Sequence, residues 1–227
     1  MFDINKTFIF IGIVIVIFII CVGLLIFAPR SINFHDATIY PILKYINENN
    51  SDIIHADFDK IENAPWIDWP DKDFVKGNVT IYPIFMFSIL SEKRKNECIN
   101  TFNLIQNIPD IKTCAFLKID KTSRIQKHAQ YKGLNNTLRC IIILKSVSTT
   151  TIDQCGIWVN GESKKIKSKN IYIYDSSKEH SIYNETDYPV YAFMIDIKRP
   201  EKIPDGISER EYDDNLYDFI NTLTIET

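Results

Sequence analysis

The sequence predicts a mainly β fold, a sandwich or jelly roll with flanking helices, set behind one N-terminal transmembrane helix. Three observations predict it. Between Lys112 and Ile197 short apolar runs alternate with turn residues. Residues 7–28 form an uncharged apolar run. Helical periodicity is confined to the segments flanking the strand-rich region.

The N-terminal run, Thr7 to Ala28, holds no Asp, Glu, Lys or Arg. At about 1.5 Å per residue it reaches roughly 33 Å, the thickness of a bilayer core. A cleaved signal peptide needs a shorter apolar core and a small-x-small cleavage site. Phe27-Ala28-Pro29-Arg30 offers none, so the run reads as an uncleaved signal-anchor and the protein as single-pass membrane-bound. Lys6 and Arg30 flank it almost symmetrically, which leaves orientation open. Four Asn-x-Ser/Thr sequons, at Asn49, Asn78, Asn135 and Asn184, hint at a lumenal domain.

Next, Ile39, Ile42, Leu43 and Ile46 recur at helical spacing within residues 36–50, with Pro41 in the first turn. Residues 52–77 read as irregular, acidic and tryptophan-bearing. Val79–Phe85 reads as a strand with Pro83 at an edge or bulge. Ser91 opens a helix that Pro109 ends. The strands that follow are 113–119, 124–126, 138–147, 156–159, 170–174, 179–183 and 190–197, with Asn160-Gly161 as a hairpin turn. Ser208-Glu-Arg-Glu211 has the form of a capping box opening a last helix. The expected organisation is a tail (1–6), an anchor (7–28), a stem (29–65), a β domain (66–200) and a helical tail (201–227).

A formal charge of −3, from 26 basic and 29 acidic residues, gives no basic excess for nucleic acid. Cys98, Cys114, Cys140 and Cys155 show no Cys-x-x-Cys spacing, which disfavours structural zinc. They are either two disulfides or four buried thiols. There is no phosphate-binding glycine loop, Gly-x-Ser-x-Gly or His-Glu-x-x-His.

The chemistry-bearing candidates are His128 and His180, both on strand-like runs and 52 residues apart. Histidine is the commonest metal ligand, and two histidines plus a carboxylate make a redox iron site. Here the third residue of His128-Ala-Gln130 is an amide where such sites place an acid. Arg139 is suited to bidentate binding of an acidic cosubstrate, or else to a surface ion pair. Asp175 and Asp187, flanking His180, either orient its ring or cap turns. Trp66, Trp69 and Trp158 read as packing residues.

Taken in order, Val79-Thr-Ile-Tyr-Pro-Ile-Phe-Met-Phe87, Ile108-Pro109, Ala115-Phe116, His128, Gly133 and Leu138-Arg139 form a series with Cys155-Gly-Ile157, Asn160-Gly161, Asp175-Ser-Ser-Lys-Glu-His180, Asn184 and Asp196 to Pro200. This series resembles the aspartyl/asparaginyl β-hydroxylase family, which includes the lipid A hydroxylase branch. The resemblance covers residues 66–200. It implies a double-stranded β-helix and an Fe(II)- and 2-oxoglutarate-dependent dioxygenase. By it, His128 and His180 are the metal ligands and catalytic residues, no ligand carboxylate is needed, and Arg139 contacts 2-oxoglutarate. The expected function is a membrane-anchored hydroxylase of a protein side chain or lipid acyl chain. Leu117, Ile141 and Val190 stand where the family places a serine, a histidine and an arginine around the cosubstrate, with Lys145 and Lys198 as nearby cations. The alternative is therefore a catalytically degenerate member acting as a binding or scaffold domain.

Overall fold

The structure is a computed structural model that describes residues 13–18, 32–147 and 153–225. Residues 1–32 and 33–227 form two separate compact units. In the first, residues 13–18 are helical. Among the described residues no helix is long and apolar enough to cross a membrane. The rest of the expected 7–28 span lies outside the described residues. The transmembrane helix, the membrane as partner, the single-pass localisation and the membrane-anchored hydroxylase are corrected accordingly.

The second unit is built around strands β1 (Phe34–His35), β2 (Ile67–Asp68), β3 (Val75–Lys76), β4 (Val79–Met86) and β5 (Ile89–Leu90), then β6 (Ile111–Ile119), β7 (Ser123–His128), β8 (Thr137–Lys145) and β9 (Cys155–Val159). It is completed by β10 (Glu162–Lys165), β11 (Ile171–Tyr174), β12 (His180–Asn184) and β13 (Val190–Lys198). The helices are α1 (Pro41–Asn49), α2 (Ser51–Ile61), α3 (Glu92–Glu97), α4 (Ile99–Ile105) and α5 (Asp214–Ile225).

A large sheet runs β1–β11–β8–β13–β6–β4–β2, with β5 beside β4, and a small sheet runs β10–β9–β12–β7–β3. All the pairings are antiparallel. Neither sheet closes on itself, so the expected mainly β double-stranded β-helix barrel is corrected to a mixed α/β fold of two open sheets.

Strand alternation sorts the core into two layers. From β6, Ala115, Leu117 and Ile119 join Ile125, Ile157, Val159 and Ile182 of the small sheet in an inner core that also takes in Leu216, Phe219 and Leu223 of α5. On the opposite face, Cys114 and Phe116 meet Leu43 and Ile46 of α1 and Ile54, Phe58 and Ile61 of α2. Helix α2 was unexpected: residues 51–61 carry many charges. Asp57 is buried but satisfied, accepting from Thr101 N at 2.7 Å and Lys60 Nζ at 2.6 Å.

Other expectations sit where the residues imply. Pro41 is at the start of α1, and the β4–β6 register slips between Pro83 and Phe85. Ser91 caps α3 through Arg94 N, although the expected single helix breaks at Cys98. Asn160 and Gly161 take positive φ values of 42° and 91° and join β9 to β10 with Val159 opposite Glu162, the two-residue geometry that Asn-Gly favours. Ser208 does not open the last helix. Its Oγ donates to Gln130 O, and the helix begins at Asp214, where Asp213 Oδ1 accepts from Leu216 N. Cys98, Cys114, Cys140 and Cys155 are buried free thiols. Burial pushes the Cys98 and Cys155 thiols up to about 12, so they behave as small apolar groups.

Candidate metal centre

His128 ends β7 and His180 begins β12, and the two are paired across the strands. The register slips here: four residues of β7, from Ile125 to His128, oppose three of β12, from His180 to Ile182. A bulge of one residue reverses side-chain parity. Ile125 and His128 thus both face the inner core, although a regular strand would send them to opposite faces. The rings lie 4.5 Å apart, with Phe74 stacked on His128 at 5.1 Å and Tyr174 beside His180 at 5.5 Å.

Each ring is fixed by its own backbone. His128 Nδ1 bonds Gln126 O and His180 Nδ1 bonds Lys178 O, both at 2.9 Å. A carbonyl only accepts, so each Nδ1 carries the hydrogen and each Nε2 keeps its lone pair. His180 Nε2 is buried without a hydrogen-bond partner. Burial lowers both imidazole pKa values. That of His180 falls well below 6.5, helped by the neighbouring His128 and Arg139.

These shifts carry a sign. Folded pKa values below the unfolded 6.5 mean that the unfolded chain takes up protons first as pH falls. The stability contribution is complete above about pH 6.5 and is lost below it. Unfolding of the metal-free protein should therefore become easier from about pH 6.5 downward, by up to about 1.4 kcal/mol per pH unit for each excluded proton. Denaturant titrations of wild type against a His128→Gln/His180→Gln variant measure this, with the variant showing the flatter profile.

The rings open on a small cavity lined by Trp69, Leu117, Ile125, Arg139, Ile141, Tyr174, Ile182 and Met194. Its volume of about 10 Å³ is close to that needed for one water. Trp69 Nε1, an N–H donor on this wall, is also buried without a partner. Arg139 reaches the cavity from β8, but its fork is engaged. Nε and Nη2 donate to Asp196 Oδ1 and Oδ2 at 2.8 and 2.9 Å, from the directly opposite residue of β13. Val190 packs in the inner core opposite Ile119. Lys145 and Lys198 are exposed and paired with Glu62 and Asp110.

Gln130, at the position of an acid ligand, is tied into the loop. Its Nε2 donates to Leu134 O at 2.7 Å and its Oε1 accepts from Ser176 Oγ. Asp175 does not orient His180 either: it pairs with Arg199 and accepts from Ser177 N, closing a turn. Two residues that sequence reasoning passed over also border the rings. They are Trp69, read as packing, and Asp71, whose Oδ2 lies 3.8 Å from His128 Nε2. No local pattern marks either residue. Among the described residues, no group of three His, Cys, Asp or Glu side chains is placed to hold a metal as it stands.

Paired buried imidazoles with open Nε2 atoms, one of them orphaned, suit a divalent metal. The cavity does not suit 2-oxoglutarate: its walls are mostly apolar, its one guanidinium is spent on Asp196, and its volume is that of a water.

Two open antiparallel sheets, with a pair of buried imidazoles on the smaller one, define the class of the protein. Its family is then plain. The aspartyl/asparaginyl beta-hydroxylase model matches residues 48–200, and the chain belongs to that family. The family's resemblance to 2-oxoglutarate-dependent hydroxylases extends to this chain.

No curated protein matches it. Among solved structures, an oxidoreductase of the 2OG-Fe(II) oxygenase family from Burkholderia pseudomallei is 10% identical, covering 73% of this chain and 86% of its own, with a TM-score of 0.49. A cupin-like protein from Thermotoga maritima is 10% identical over 68% and 93%, with a TM-score of 0.40. A predicted oxalate decarboxylase from the same organism is 18% identical over 55% and 84%, with a TM-score of 0.36.

Proposed function

We propose that this chain is a metal-binding member of its family in which His128 and His180 hold one divalent ion, iron(II) being the ion the family implies, and in which the acid-cosubstrate pocket is closed. The observation that carries the reading is the pair of buried rings, both turned by backbone carbonyls so that their Nε2 lone pairs stay open. Bound there, iron(II) would supply redox chemistry. The protein would supply two neutral nitrogen ligands and an apolar, largely dry wall of Leu117, Ile125, Ile141, Ile182 and Met194. The engaged Arg139 favours the binding-domain alternative over turnover of 2-oxoglutarate.

The test is anaerobic Fe(II) titration of the full chain, followed by succinate measurement with 2-oxoglutarate and oxygen. One equivalent of iron, lost in His128→Ala and His180→Ala, with succinate no higher than in those variants, is the expected result. Stoichiometric iron with metal-dependent succinate formation contradicts the closed pocket. No iron uptake contradicts the centre.

A further inference from the structure

We propose that Trp69 is the gate of this centre, the side chain that divides the histidine cavity from an outer cleft and sets what reaches the two imidazoles. That the solute admitted is a divalent ion rests on the metal reading above; the gate itself does not. Trp69 is 3% exposed and directly follows β2. It lines the small cavity together with His128 and His180. It also lines a second cavity of about 270 Å³, whose other walls are Asp68, Lys72, Val75, Gly77, Asn78 and Val79. Of these, Asp68, Lys72, Gly77 and Asn78 are exposed, so the outer cleft opens to solvent. Among the described residues, Trp69 alone belongs to both walls.

The main chain at the gate is fixed, and the ring is not tied. Trp69 N donates to Val79 O at 3.0 Å, continuing the β2–β4 pairing of Ile67 with Ile81 and Asp68 with Thr80. Pro70 follows, and a proline confines the backbone of the residue before it to extended conformations. The outer wall is equally set. Gly77 has a positive φ of 84°, a Cβ there would collide with Ser123, and Asn78 N donates to Ser123 Oγ at 2.9 Å. A buried indole N–H usually finds an acceptor. That of Trp69 has none, so packing alone holds the ring and turning it breaks no hydrogen bond. Behind it lies an acceptor, the orphaned Nε2 of His180 in the same small cavity. In place, the indole limits the inner space to about 10 Å³, close to one water. Turned aside, it joins that space to the cleft, whose Asp68, Lys72 and Asn78 suit a hydrated ion or another small hydrophilic solute. Asp68 and Lys72 pair at 3.5 Å, so the lining carries no net charge and the gate selects by size.

The test is carbethoxylation of the metal-free full chain by diethyl pyrocarbonate, which acylates neutral imidazole nitrogens, with each histidine read by peptide mass spectrometry. A group reached only through a minor open state reacts in proportion to that state's population. Such states are commonly populated at about 0.1–10%, so Trp69→Ala should speed labelling of His128 and His180 by about ten-fold or more. Trp69→Phe, which keeps a ring in place, should stay closer to wild type than to Trp69→Ala. His35 and His55 lie outside both walls and should label at unchanged rates. Cys114, Cys140 and Cys155 are fully buried and should stay unreactive to N-ethylmaleimide, since general loosening would expose them too. Wild-type labelling rates of both cavity histidines in folded Trp69→Ala overturn the gate, and so does a parallel rise in thiol labelling. Mn(II) release to excess chelator should quicken in Trp69→Ala in step with histidine labelling. Faster labelling with unchanged release overturns the ion as the admitted solute. Wild type that binds neither Mn(II) nor Fe(II) overturns the metal reading, and histidine labelling then still decides the gate.

Discussion

Replacing Asp196 by asparagine should cost about 3–5 kcal/mol of folding stability, the penalty for leaving a buried charge without its partner. Arg139 is 6% exposed and Asp196 fully buried, and the pair is bidentate across neighbouring strands. Burial alone would depress the arginine's pKa. The Asp196 carboxylate reverses this, and the net shift is upward; in the variant that support is lost, but arginine is not deprotonated in proteins, so the guanidinium stays charged and unpaired. Urea unfolding of Asp196→Asn measures the loss. The double variant Arg139→Met/Asp196→Leu should recover most of it, because well-packed apolar pairs often match or exceed buried ion pairs. A cost below about 1 kcal/mol would show that the guanidinium is not committed to Asp196 and remains available to an external acid. In Asp196→Ala, the freed guanidinium should accept acetate from solution, raising stability with acetate concentration as binding to the folded state requires.

His180→Ala should abolish metal binding, lowering affinity by more than about 100-fold, beyond the range seen when partners of ligands are removed. This ring is the more committed of the two: its Nε2 has no protein partner, whereas His128 Nε2 has the Asp71 carboxylate nearby. Its fixed ring costs little further ordering on binding, because Lys178 O and Tyr174 already set the orientation. The same substitution removes a group that resists protonation in the folded state. Below about pH 6.5 the metal-free variant should accordingly lose stability less steeply than wild type. Fe(II) titration and pH-dependent unfolding read the two effects on one sample. Unchanged iron affinity in folded His180→Ala would remove this residue from the centre.

The strands were legible because apolar alternation is local: residues 113–119 and 190–197 announce β6 and β13 by themselves. So were the Asn160-Gly161 hairpin and the Ser91 cap, each set by the conformational preferences of one or two residues. Helix α2 was hidden because its buried Asp57 is satisfied by Lys60, Asn100 and Thr101 only after the chain folds back. The capping-box form at Ser208 misled because a tertiary bond to Gln130 O takes the hydroxyl. At the site, His128 and His180 were visible as strand-borne histidines in a family order. The pairing of Arg139 with Asp196 depends on the β8–β13 register, and the approach of Asp71 to His128 brings together distant parts of the chain. Neither leaves a trace at short sequence range. The bulge that turns His128 inward is likewise a property of two strands together.

X-ray absorption of the Fe(II)-loaded chain tests the central claim most directly. Two imidazole ligands predict nitrogen or oxygen scatterers at about 2.0–2.2 Å, with the outer-shell pattern of two rings. That pattern should drop to one ring in His128→Ala and in His180→Ala, wherever iron can still be loaded. A spectrum with no imidazole outer shell, or one unchanged by both substitutions, would contradict the two-histidine centre.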